Sequence, residues 1–167
     1  MKSTDGYDHT PEGAAATDLI LAVFRLNGGL LRAGDELIAD LNLTSARWQV
    51  LGAIGMSEQP QPVANIARVM GLTRQAVQRV ANELESQGFV AYSTNPHHRR
   101  AKLVVLTERG IRAIRAAAKR QSPWVNELVA GLSMRDIRCA LKVARALDEK
   151  LNAATPTAAA SLMRRTG

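Results

Sequence analysis

Arg74, Gln75, Gln78 and Arg79 lie within a single stretch, Thr73 to Asn82, that holds no acidic side chain. At this spacing the four share the first two turns of one helix face. An arginine there can donate two hydrogen bonds to O6 and N7 of guanine, and a glutamine can pair both ways with adenine. Thr73 suits a helix cap, and a helix N-terminus can take a phosphate. Further along, Asn95-Pro96-His97-His98-Arg99-Arg100-Ala101-Lys102 places three formal positive charges, Arg99, Arg100 and Lys102, on a short turn. Such a turn can grip phosphates or enter a minor groove. A solvated polar helix face and a solvated basic loop are the plain alternatives, and the pairing of the two features argues against both.

The elements that must position these residues follow from periodicity and punctuation. Val77, Val80 and Leu84 form the inward face of a helix from about Thr73 to Gln87, stopped by Gly88. Before it, Pro62 suits a first helical position, Val63, Ile66, Ala67 and Met70 recur at core spacing, and Gly71 stands where a left-handed residue is wanted. Two helices joined by this short turn make a helix-turn-helix. Alternation in Phe89 to Thr94 and again in Lys102 to Leu106 predicts a two-stranded hairpin with the basic turn at its tip.

Upstream, Thr44 caps a helix carrying Trp48, Leu51 and Ile54. Leu19, Ile20, Val23, Phe24, Leu30, Leu31, Leu37, Ile38 and Leu41 predict a broad apolar stripe beginning near Thr17 or Asp18, with Gly28, Gly29 and Gly34 inside it requiring compensation or a bend. Downstream, Thr107 caps a helix with Ile111, Ile114, Ala118 and Val125 that Pro123 should kink or end. Ser133 with Asp136 opens a last helix bearing Ile137, Leu141, Ala144, Leu147 and Leu151, ended by Pro156. The fold class is therefore mainly α with a small β-hairpin. A winged helix-turn-helix DNA-binding domain at 43–106 is flanked by helical regions at 17–42 and 107–152, with a mobile arm at 1–16 and a C-terminal arm at 153–167.

Twenty-two Lys and Arg against 15 Asp and Glu leave a net charge of +7, with a sequence pI near 10.3. That balance favours a polyanionic partner but does not choose nucleic acid over an anionic membrane. No run approaches the ~18 consecutive apolar residues of a membrane span, and residues 1–11 lack a signal-like apolar core, so a soluble, cytoplasmic protein is expected. The single cysteine, Cys139, excludes an intramolecular disulfide and reads as a small buried hydrophobe. His97 and His98 are adjacent and would point apart, His9 sits in the arm, and no acid–base or nucleophile grouping supports catalysis; no enzyme activity, metal or cofactor is expected. Arg112, Arg115 and Lys119 read as a solvated helix face.

These residues resemble the MarR family of bacterial transcriptional regulators from about Asp18 to Leu151. The likeness is carried by Leu43-Thr44 with Arg47-Trp48-Gln49-Val50-Leu51, by Ile66-Ala67 to Gly71-Leu72-Thr73, by Leu84-Glu85-Ser86-Gln87-Gly88-Phe89-Val90, and by Leu106-Thr107-Glu108-Arg109-Gly110. The resemblance implies a homodimer whose first and last helices interlock as dimerisation helices. Two winged domains would straddle a palindromic operator in double-stranded DNA. It also implies a repressor released by a small, often aromatic or phenolic, ligand between the dimerisation helices and the winged domain. By position Phe24, Asn27, Leu31, Trp48 and Ile114 would line such a pocket, although the same spacing serves plain core, and Arg47 would meet an anionic aromatic ligand. One departure is His98, where the family usually carries a wing-bracing Asp. The competing reading is a winged-helix module whose basic face docks an acidic protein.

Overall fold

The computed structural model describes residues 9–96, 98 and 100–154. The chain divides into two compact units, Met1–Trp124 and Val125–Gly167. In the first, α1 (Pro11–Leu37) is followed by a 3-10 turn (Ala39–Leu41), α2 (Ser45–Gly55), β1 (Gln61–Pro62), α3 (Val63–Val69), α4 (Arg74–Ser86), β2 (Val90–Ser93), β3 (Leu103–Leu106) and most of α5 (Glu108–Leu128). The second holds the end of α5 and α6 (Met134–Ala154). The order of elements is that of a winged helix-turn-helix, mostly helical with a small antiparallel sheet.

The helix ends follow local chemistry. Thr44 and Thr73 accept the N–H groups of Arg47 and Ala76 on their hydroxyls, and Thr107 accepts that of Gly110. After α3 and α4, Gly71 (φ +64) and Gly88 (φ +73) adopt the left-handed conformation. Their following residues close the ends, Leu72 N–H donating to the Ala67 carbonyl and Phe89 N–H to that of Leu84.

Four expectations need correction. The first helix begins at Pro11, not near Thr17: Thr10 caps it by accepting the Gly13 N–H, Pro11 occupies the first turn and Glu12 faces the positive end. Residues 11–16 are therefore helix rather than arm, and the helix runs unbroken through Gly28 and Gly29. Pro62 does not start α3 but closes a third strand: Gln61 faces Val104 and Pro62 faces Leu103, so the sheet order is β1-β3-β2. An edge strand suits a residue with no N–H to donate. Of the kink or end expected at Pro123, the end does not occur: the proline lies inside α5, which continues to Leu128, although the division between units follows one residue later. Cys139 is exposed, because none of the described α6 residues is buried.

The core lies in the first unit, where Leu51, Ile66, Val77, Leu84, Phe89 and Val104 meet between α2, α3, α4 and the sheet. Within the first unit α1 is held against α2 at its C-terminal end. Gly34 is buried so closely against α2 that a Cβ there would stand 2.5 Å from Ser45 Oγ, and that hydroxyl donates to the Leu31 carbonyl at 2.7 Å. Ser45 N–H also donates to Asp35, and Asp40 pairs with Arg120. Further towards its start α1 leaves Leu19, Ile20, Val23, Phe24, Leu26 and Leu30 exposed. By length and composition alone α1 is apolar enough to cross a membrane, which counting uninterrupted apolar residues does not detect because Asp18 and Arg25 break the run.

Candidate nucleic-acid interface

α4 is amphipathic. Val77, Val80, Ala81 and Leu84 are buried, while Thr73, Arg74, Gln75 and Arg79 are exposed. Arg47 on α2 steadies the helix from behind, its Nε donating to Glu83 Oε2 at 3.1 Å. The Nε of Arg47, the residue that the resemblance places at a ligand, is thus engaged by α4.

Gln78 differs from its neighbours on the reading face. It is half-buried, and its Nε2 donates to Tyr92 Oη at 2.7 Å and to Asn82 Oδ1 at 2.8 Å. Tyr92, on β2, donates in turn to Asn82 Oδ1 at 2.8 Å. Burial pushes the Tyr92 hydroxyl above its usual 10.0, against a smaller lowering by the Gln78 hydrogen bond, and nearby Glu85 raises it further. Periodicity alone assigns Gln78 to the free face. It misses Tyr92 and Asn82 because their link to Gln78 crosses from helix to strand; the signal present is an aromatic hydroxyl in the strand leading to the wing.

Beside this ring a notch of about 450 Å³ opens between α4, the start of α3 and the wing. Arg74, Gln78, Tyr92, Arg100 and Lys102 line it, with Glu85 as its acid. The structure thus brings Arg100 and Lys102, both exposed, to the same notch as the start of α4. His98 is exposed and its carbonyl accepts the Ala101 N–H, closing the turn. Arg99 and His97 lie outside the described residues. Guanidinium and ammonium groups flanking a polar helix face can neutralise phosphates while the helix meets base edges.

The residues expected at a ligand are scattered. An open cleft of about 760 Å³ lies among α1, α2, α3 and α5, walled by Leu30, Trp48, Met56, Met70 and Trp124, with Ser45, Gln49, Ser57 and Gln121 as polar groups. Of the expected residues only Trp48 lines it. Phe24 is 68% exposed and Asn27 is exposed, both on α1 away from α2; Leu31 is half-buried above Ser45. Ile114 packs against the core, its Cδ1 2.8 Å from where a Cβ on Gly55 would lie. Trp124, which lines the cleft, is not among the residues expected there. Among the described residues no His, Cys, Asp and Glu grouping could hold a metal.

The MarR family model matches residues 41–101, the stretch from the turn before α2 to the wing. An uncharacterised protein of Mycobacterium tuberculosis is 43% identical over 102 residues, covering 61% of this chain and 70% of that protein. A mutant MarR from E. coli, solved with operator DNA, superposes with a TM-score of 0.71 at 21% identity over 78% of this chain and 93% of that one. The PcaV transcriptional regulator from Streptomyces coelicolor, solved with its natural ligand, superposes at 0.68 and 21% identity over 89% and 98%. Together with the winged helix built above, these matches identify the chain as a member of the MarR family of winged-helix transcription regulators.

Proposed function

We propose that this chain works as a dimeric, sequence-specific repressor whose operator binding is released by a small aromatic ligand. The observation that carries the reading is α4, which holds Arg74, Gln75 and Arg79 exposed on a rigid core and beside the cationic notch of Arg100 and Lys102. In it Thr73 and the start of α4 take a phosphate, Arg74, Gln75, Gln78 and Arg79 meet base edges, and Arg99, Arg100 and Lys102 grip the backbone. The operator-bound E. coli relative supports this use of the fold.

Dimerisation accounts for the apolar face that α1 leaves uncovered, since a stripe of this size rarely stays in water. The helical regions 17–42 and 107–152 are the dimerisation elements and 43–106 the DNA-binding domain. The cleft at Trp48 and Trp124 suits a flat apolar ligand with one or two polar groups, and the ligand-bound relative from Streptomyces coelicolor supports a ligand on this scaffold.

The test is selection of bound fragments from genomic DNA by the purified protein, followed by footprinting. A palindrome protected on one face, with half-sites about 10 base pairs apart centre to centre, is expected. Salt-sensitive binding with no defined protected sequence would sink the reading and favour a module that docks an acidic protein.

A further inference from the structure

The hydrogen-bonding capacity of Gln78 is already half committed. A side-chain amide nitrogen carries two N–H donors, and those of Gln78 go to Tyr92 Oη and Asn82 Oδ1. Tyr92 closes the ring by donating to the same Asn82 oxygen. The ring is anchored at both ends, because Asn82 lies one turn along α4 from Gln78 and Tyr92 sits in the β2–β3 ladder opposite Val104. What remains of the Gln78 amide for an outside partner is Oε1, an acceptor. The residue lines the notch with Arg74, Arg100 and Lys102, where DNA entering the interface would pass.

In the major groove cytosine N4 and adenine N6 donate, whereas guanine O6 and N7 and thymine O4 accept. A free glutamine would bind adenine through N6 and N7 together, using one donor and one acceptor. With its donors held inside the protein it loses the N7 half. We infer that Tyr92 and Asn82 hold Gln78 as an acceptor-only reader that selects the amino bases, adenine or cytosine, over guanine and thymine at one position of each half-site. The inference rests on the DNA-binding reading above. Tyr92 acts in it as a positioning residue that sets, through Gln78, what the recognition helix can read.

The test uses the full-length protein and a duplex recovered by genomic selection, with all four bases placed in turn at every half-site position. Affinities are measured for the wild type, Tyr92→Phe, Gln78→Ala and the double variant, each with its thermal midpoint. At one position adenine and cytosine should bind alike and about fivefold or more above guanine and thymine, the worth of one hydrogen bond. Tyr92→Phe frees one N–H, so adenine should gain about fivefold on cytosine there. Gln78→Ala should level the four bases and leave Tyr92→Phe without effect on their ratios. A merely structural Tyr92 would lower the thermal midpoint and weaken all four bases equally, leaving the ratios alone.

Three results overturn the inference while sparing the DNA-binding reading. They are a preference for guanine or thymine at the Gln78-dependent position, which would mean that the amide faces outward with its donors; an adenine-to-cytosine ratio unmoved by Tyr92→Phe; or base preferences untouched at every position by Gln78→Ala. A wild type that binds no defined sequence overturns both.

Discussion

Gly110→Ala should be among the most damaging single-methyl additions to this protein. The new Cβ would lie 2.1 Å from the Phe89 carbonyl oxygen and 3.1 Å from its carbon. A tolerable carbon–oxygen approach is about 3.3 Å, so one backbone segment must give by roughly 1.2 Å, the difference between that distance and 2.1 Å. Neither segment is a flexible tail. The Phe89 oxygen accepts both the Thr107 N–H and the Thr107 hydroxyl at 3.1 Å, and Gly110 N–H donates to that same hydroxyl at 3.1 Å. Pushing the start of α5 from Phe89, the residue before β2, therefore strains or breaks about two hydrogen bonds worth about 1 kcal/mol each. Overpacking adds about 1–3 kcal/mol, for a total of about 3–5 kcal/mol.

On a chain of this size that is a fall in thermal midpoint on the order of 10 °C. Thermal unfolding followed by circular dichroism would measure it. Gly52→Ala is the internal control: a Cβ there meets nothing within 4 Å, so the same methyl inside α2 should stabilise by about 0.5–1 kcal/mol. A Gly110→Ala protein melting within about 2 °C of the wild type would refute the steric argument. Because Thr107 also ties the end of β3 to Gly88 and Phe89, the variant should lose operator affinity as well as stability.

Operator affinity should fall steeply with salt, and Arg100→Ala or Lys102→Ala should each flatten the slope by about 0.9 for every phosphate left without its cation, hence about 1.8 per dimer; an unchanged slope removes that residue from the groups that grip the backbone. Phe24→Glu, at the most exposed large hydrophobic side chain of α1, should convert dimer to monomer in sedimentation while leaving the monomer's helix content intact; a surviving dimer would place the interface elsewhere. The chain has two tryptophans, and both line the cleft. An aromatic carboxylate that loosens DNA binding should therefore quench intrinsic fluorescence at the same concentration, and release without quenching would move the ligand out of the cleft. Burial holds the Tyr92 hydroxyl neutral, its folded pKa lying above the unfolded 10.0. Its contribution to stability is thus complete below pH 10.0 and declines as pH rises from there through the folded value. In a Tyr7→Phe background, where Tyr92 is the remaining tyrosine, phenolate absorbance should titrate above 10.0, and a midpoint at or below that would contradict the burial.

Caps and stops are legible in the sequence because each is satisfied within a few residues. Thr44, Thr73, Thr107 and Ser133 open helices through their own hydroxyls, and Gly71 and Gly88 close them through a local backbone conformation. The start of α1 carries the same kind of signal in Thr10, Pro11 and Glu12, but the Gly-, Ala- and Thr-rich stretch after Pro11 has the composition of a loose arm, although alanine propagates a helix once a cap has begun it. What periodicity cannot supply is anything set across elements. It places Gln78 on the outer face of α4 but not under a tyrosine from β2. It puts Pro62 at the head of α3, where the ladder to Leu103 makes it strand. For Phe24, Asn27 and Ile114 it gives the correct helices without telling which residues line the cleft, since that depends on how α1, α2 and α3 meet.

These cross-element ties also limit how a ligand could act on DNA. α4 is bound to α2 through Arg47 and Glu83, to β2 through Gln78 and Tyr92, and to α3 through a shared buried core. β1, at the head of α3, is paired with the wing strand β3. An occupant of the cleft touches α1, α2, α3 and α5 but no residue of the reading face. Distorting α4 itself would break an ion pair, a closed hydrogen-bond ring and core packing together. Changing how α1 meets α2 disturbs far less, chiefly the Ser45 hydrogen bonds over Gly34. In the proposed repressor, release therefore works by altering the spacing of two intact reading heads, with α1 as the lever. Switching such a dimer from about 1:99 to about 99:1 requires a ligand that prefers one spacing by about 5.5 kcal/mol. Weakening the α1–α2 joint with Ser45→Ala should lower that requirement, so the variant should release its operator at lower ligand concentration while its recognition helix keeps the same base preferences.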